Sequence, residues 1–325
     1  ILNGIGIPAG PFEAPDRFDI TPRPGTAGDD FMSNLEMVMG VADLDADVML
    51  ASSGETAFES LTSVYVSAGA SQGSGDAYRD IVTESEENPF LWFVGGERED
   101  LAFSDVMLTG NKTGETFGAL ENVTVMSQGT DDGGLAHDGF GSINVHLTDI
   151  SSEEFDVTLS TTENGAISFV SVDNPGLMTV TATGENLVDL AITGDNTGLE
   201  LIDLRGLTET SEFTVFYSND IEISDGLETW LGAGTGQYRA VDGIQEIIAF
   251  TSDGIFDVRL TNFDAGAGGD LIDFSFLGVE DEEDLILTDV FGSVQITTAG
   301  QDFEGVIEVV GVSPFDVSDN LIFAG

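Results

Sequence analysis

Apolar and polar residues alternate in short runs over much of the chain. Ile143-Asn144-Val145-His146-Leu147, Phe155-Asp156-Val157-Thr158-Leu159 and Phe256-Asp257-Val258-Arg259-Leu260 each have period two, bounded by Gly, Asn, Asp or Ser. That period places one face of a strand in a core and the other in water. A second pattern spaces three apolar residues unevenly, as Leu61/Val64/Val66, Leu120/Val123/Val125, Leu187/Leu190/Ile192 and Leu199/Ile202/Leu204. The last two copies are 12 residues apart, and each runs on to a glycine, Gly194 or Gly206. One strand and one turn per repeat predict a stack of strands. The expected fold is therefore mainly β, a parallel β-solenoid or β-roll. A set of β-sandwich domains, whose strands recur at similar spacing, is the alternative.

Four regions follow from the text. Residues 1–30 hold five prolines (Pro8, Pro11, Pro15, Pro22, Pro24) and read as an extended arm. Its opening Ile1, Leu2, Ile5 and Ile7 suit docking as a strand, on this subunit or a neighbour. Residues 31–100 are mixed, with a short helix expected over Phe31 to Val41 and a helix or insertion over Tyr78 to Phe93. Residues 101–243 form a β-rich repeat region, and residues 244–325 a final domain.

Charge narrows the partners. The 325 residues include 60 Asp and Glu against 8 Lys and Arg, a formal charge of −52. Such a chain repels nucleic acid and anionic membrane surfaces. Its self-repulsion calls for bound cations or a high-salt habitat, and calcium suits carboxylate oxygens. Without cysteine the chain has neither disulfides nor thiolate chemistry. Apolar runs fall well short of the ~20 residues of a membrane-spanning helix. The first residue is Ile1 rather than Met, so a processed form or a fragment is expected.

Ala265-Gly266-Ala267-Gly268-Gly269-Asp270-Leu271-Ile272-Asp273 fits a glycine-rich nonapeptide of calcium coils at every specified position but the first. Around it stand Leu260-Thr261-Asn262-Phe263, then Asp273-Phe274-Ser275, Leu285-Ile286-Leu287, Val294-Gln295-Ile296 and Val306 to Val312. The chain closes on Phe315-Asp316-Val317-Ser318-Asp319-Asn320-Leu321-Ile322-Phe323. In order and position this last quarter resembles the C-terminal domain of RTX (haemolysin-type) proteins. The resemblance implies type I secretion on an uncleaved C-terminal signal, and folding outside the cell with Ca2+. It points to Gly266, Gly268 and Asp270 as metal ligands, with Asp264 and Asp273 beside them. Gly232-Ala233-Gly234-Thr235-Gly236-Gln237 reads as a degenerate second copy, with Gly236 where Asp belongs. The repeat text upstream is similar to stretches of bacterial surface-layer proteins.

Further hard oxygens lie in Asp131-Asp132-Gly133-Gly134 and at Asp195-Asn196, two more calcium candidates. Asp43, Asp45 and Asp47 open like an EF-hand loop, but Val48 and Gly54 break the pattern, leaving a solvated acidic strand edge as the competing reading. Asp281-Glu282-Glu283-Asp284 reads as a helix start or a solvated loop. His137 and His146 are the only histidines, and their spacing fits no zinc motif. No catalytic set emerges. The expectation is a non-enzymatic, extracellular, calcium-stabilised subunit that polymerises with itself into a surface layer or filament. A polysaccharide-active enzyme and an adhesin for cell-surface polysaccharide are the alternatives.

Overall fold

The computed structural model describes residues 16–20, 37–42, 45–51, 58–69, 102–110, 116–128, 141–162, 165–184, 187–251, 254–298 and 305–324. Among them the chain forms 22 strands, shared between two sheets. Successive strands go to opposite sheets up to Leu271–Asp273, so each strand pairs with the next but one in sequence. All of these ladders are parallel: Leu187–Ile192 lies beside Glu212–Tyr217, and Leu201–Leu207 beside Leu227–Leu231. This is a two-sided parallel β-solenoid. Sandwich domains would need antiparallel neighbours throughout.

Alternation builds the core. Phe256, Val258 and Leu260 are buried while Asp257 and Arg259 between them are exposed. Inward residues of both sheets meet in one continuous cluster running from Leu50 to Val317. Three copies of the second apolar pattern are buried as predicted: Leu61/Val64/Val66, Leu120/Val123/Val125 and Leu199/Ile202/Leu204. The fourth is not a true copy. Leu187 is 39% exposed, because it opens a strand of the other sheet, whose inward residues are Val188, Leu190 and Ile192.

A repeated corner feeds one sheet. The amides of Leu61, Leu120, Leu177 and Leu199 donate to the carbonyls of Phe58, Phe117, Asn174 and Asn196, at 3.0–3.2 Å. Phe58 and Phe117 take left-handed backbone angles, φ 60° and 57°, which cost an L-residue of the order of 1–2 kcal/mol each. Their rings stack at 4.9 Å and 4°, offsetting that cost between adjacent coils.

The solenoid closes at its C-terminal end with a change of direction. Gly305–Val309 continues one sheet in parallel, but Ser293–Thr298 and Leu285–Val290 add to it antiparallel. Leu321–Ile322 ends the other sheet beside Leu271–Asp273. The sheets run through residues 243 and 244 without a break, since Gly234–Arg239 pairs with Phe256–Thr261.

Two expectations change in the N-terminal part. Met37–Ala42 is a strand in parallel register with Ser63–Gly69, where a helix was expected. Val38 and Val41 favour a strand and Gly40 disfavours a helix, so pairing with the neighbouring strand decides the form of this run. Within the arm, Asp16–Ile20 is itself a strand, paired with residues 46–50. The segment Tyr78 to Phe93 and the opening Ile1 to Ile7 lie outside the described residues.

Candidate functional site

The chemistry of the interior gathers in the last coils. Tyr217 ends the strand Glu212–Tyr217, and Tyr238 lies on Gly234–Arg239, its neighbour in the same sheet. From the facing sheet come Thr229, on Leu227–Leu231, and Glu246, which opens Glu246–Phe250. The Tyr217 and Tyr238 hydroxyls share a hydrogen bond of 2.8 Å, and Thr229 Oγ1 lies 3.0 Å from Tyr238 Oη. Tyr238 donates to Glu246 Oε1 at 2.9 Å, while the Val241 amide donates to Oε2 at 2.9 Å. All four side chains are buried.

Burial governs the proton affinities. It pushes the Glu246 carboxyl up to about 8, against the Val241 N–H and with a further push from the Asp270 charge. Both tyrosines are raised well above their usual value, by burial first and then by the Glu246 charge. A neutral Glu246 is thus the favoured form near neutral pH. Closed to solvent, the cluster cross-links two sheets.

Asp270 is placed differently from the expected ligand role. Its carboxylate faces inward and is fully buried. Oδ1 accepts the Glu246 amide at 3.1 Å and Oδ2 the Asp264 amide at 2.8 Å. Burial raises its carboxyl to about 6, while those two N–H groups pull the other way. Gly266 and Gly268 do form the tight turn, with φ of 107° and 83° that favour glycine. Asn320, however, takes both polar groups of Gly266: its Nδ2 donates to the carbonyl at 3.1 Å and its Oδ1 accepts the amide at 2.7 Å.

The turn therefore does not fit a calcium ion. Such an ion needs converging oxygen lone pairs, and here N–H groups converge on the one buried acid. The neighbours are also committed or remote. Asp264 is exposed and reaches the turn through its backbone, and Asp273 Oδ1 accepts the Ser275 amide at 2.8 Å. Asp195 Oδ1 accepts the Thr197 amide and hydroxyl at 3.2 and 3.1 Å, closing its own turn. Asp131, Asp132, Asp43 and His137 lie outside the described residues. Asp45 and Asp47 sit in the strand Asp45–Ala51, which replaces an EF-hand loop there. Among the described residues no three His, Asp or Glu side chains gather closely enough to hold a metal ion.

The degenerate nonapeptide, by contrast, does not form such a turn. Gly234 and Gly236 belong to the strand Gly234–Arg239. A Cβ on Gly236 would lie 2.5 Å from Phe213 Cδ1 and from the Phe213 carbonyl oxygen, so Asp has no room there. Asp281 to Asp284 behave as read: the Asp281 side chain accepts the Glu283 amide and caps the 3-10 turn Glu282–Asp284.

Sequence reasoning missed Glu246, the tyrosine pair and the buried asparagines. Two signals were present. Asn174-Pro175-Gly176-Leu177 and Asn196-Thr197-Gly198-Leu199 share an Asn-x-Gly-Leu corner. Glu246 also opens the run Ile247-Ile248-Ala249-Phe250, where an acid is out of place unless it is paired inside. Comparison with family models, with curated proteins and with solved structures finds no match for this chain.

Proposed function

We propose that this chain is an extracellular structural subunit whose copies assemble through the C-terminal end of the solenoid. One observation carries the reading. Leu285–Val290 is the last strand of its sheet, and exposed apolar side chains cluster around it: Ile286 at 48%, Phe291 at 105% and Phe315 at 84%. Beside it a surface depression of about 350 Å³ is lined by Leu285, Leu287, Pro314 and Phe315, among others. An edge strand with exposed apolar side chains is a template for pairing with another chain.

Charge selects where a second copy can approach. Residues 285–298 contain one acid, Asp289, in a chain with 60 acids among 325 residues. The five consecutive acids Glu280 to Asp284 flank the strand, so calcium or another divalent cation supports assembly by offsetting repulsion between these rows. The likeness of the last quarter to RTX C-terminal domains supports export by type I secretion.

Sedimentation of the full chain with millimolar calcium tests this. The wild type is expected to form large species, and Ile286→Asp combined with Phe291→Ser to stay monomeric with an unchanged circular dichroism spectrum. A monomeric wild type, or assembly indifferent to the double substitution, overturns it.

A further inference from the structure

The hairpin that ends one sheet breaks two rules at a single residue. Leu285–Val290 and Ser293–Thr298 are joined by Phe291 and Gly292 alone, with Val290 opposite Ser293. Both turn residues take positive φ, 54° and 87°. A two-residue turn of that kind favours Asn-Gly or Asp-Gly, and a bulky side chain at its first position is strained. Phe291 is also fully exposed, at 105%. Among the described residues four other non-glycines have left-handed angles. Phe58 and Phe117 are buried and stack on each other. Asp149 and Asn262 have short polar side chains that suit the conformation. Phe291 has neither compensation within its own chain. Strain joined to exposed apolar surface marks a residue that acts on something outside.

We propose that Phe291 is the plug of a plug-and-socket contact between copies: the hairpin tip of one chain seats its ring in the depression of the next, beside Leu285, Leu287, Pro314 and Phe315. This rests on assembly through the C-terminal end and gives that assembly a direction. The depression measures about 350 Å³, room for one aromatic ring, and four of its six lining residues are apolar. A tip cannot fill its own socket. Leu287 and Leu285 lie four and six residues back along the same strand, roughly 13–20 Å from Phe291 and beyond the reach of one side chain. The chain thus carries both halves of a contact that it cannot close on itself, which selects a second copy as the occupant.

Charge agrees with that choice. From Leu285 to Thr298 the only acid is Asp289, and its Oδ1 accepts the Gly292 amide at 3.3 Å, inside the turn. Glu282 is the one carboxylate among the residues lining the socket. The tip therefore brings an uncharged ring to a largely apolar wall, and a divalent cation offsets the remaining pair of acids. Once one tip is seated, the first chain keeps a free socket and the second a free tip. Such a contact is heterologous, so it repeats into a row of copies rather than closing at two.

Two variants of the full chain, sedimented in millimolar calcium, read it. Phe291→Asn removes the plug and supplies the residue that the turn favours. Phe315→Ser removes a socket wall at a position that is 84% exposed. Phe291→Asn should unfold in urea at the wild-type midpoint or above it. It should nonetheless need at least about tenfold more protein to assemble, the loss expected for a central aromatic anchor. Each variant alone should stay monomeric where the wild type forms large species. An equimolar mixture should give one-to-one dimers and nothing larger, because one partner has only a socket and the other only a plug. A mixture that stays monomeric or grows past the dimer overturns the proposal, as does a wild type that stops at two. If Phe291→Asn assembles as readily as the wild type, the plug falls while assembly through this end stands. A monomeric wild type overturns both.

Discussion

At the residue scale, Asn174 shows how the corners are held. Its Nδ2 donates to the Ile150 carbonyl at 2.6 Å, tying it to the preceding coil, and its Oδ1 accepts the Gly176 amide at 2.8 Å. Asn196 repeats the position one coil on, donating to the Thr193 carbonyl at 2.8 Å. Both side chains are buried, so removing one strands backbone groups that water does not reach. Asn174→Ala should cost about 1–3 kcal/mol for each group left unpaired, measured by urea unfolding. A loss under about 0.5 kcal/mol would show that the corner relaxes to pair them. Gly236 marks the opposite constraint, room rather than bonding. Its replacement by Ala must displace Phe213, in the strand directly beside it.

At the element scale, stability comes from inward residues stacked in parallel register. Ile202 is fully buried and pairs with Val180 in one neighbour and Thr229 in the other. Ile202→Ala should destabilise by about 2–5 kcal/mol, the range for emptying a packed aliphatic site. Leu187→Ala, at a strand opening, should stay within about 0.5 kcal/mol. A similar loss at both sites by chemical denaturation would contradict the assignment of inner and outer faces. Period-two runs such as Phe155 to Leu159 were legible because each strand has one wet face. Met37–Ala42 was not, since all six of its residues are apolar or glycine with no alternation to fix the period, and neighbouring strands decided it. The Gly-Asp turn at 266–270 was legible as a turn. Its orientation was not, because a nonapeptide spacing is the same whether the acid faces an ion outside or two amides within. Leu187 misled because apolar spacing carries no label for which sheet a strand joins.

At the scale of the whole molecule, a formal charge of −52 opposes every contact between copies. A two-sided solenoid concentrates its apolar residues inside, so acids crowd the outer faces and an exposed apolar face with a single acid stands out. Leu285–Val290, with Phe291 and Phe315 beside it, is such a face at the end of a sheet. Assembly there should rise with divalent cations and fall with their removal, since screening acts between copies and leaves the core untouched. Electron microscopy of the purified full chain, in calcium and again after excess chelator at low salt, tests this most directly. The account predicts ordered layers or filaments in calcium that disperse into intact single solenoids on chelation. Isolated particles under both conditions would contradict it.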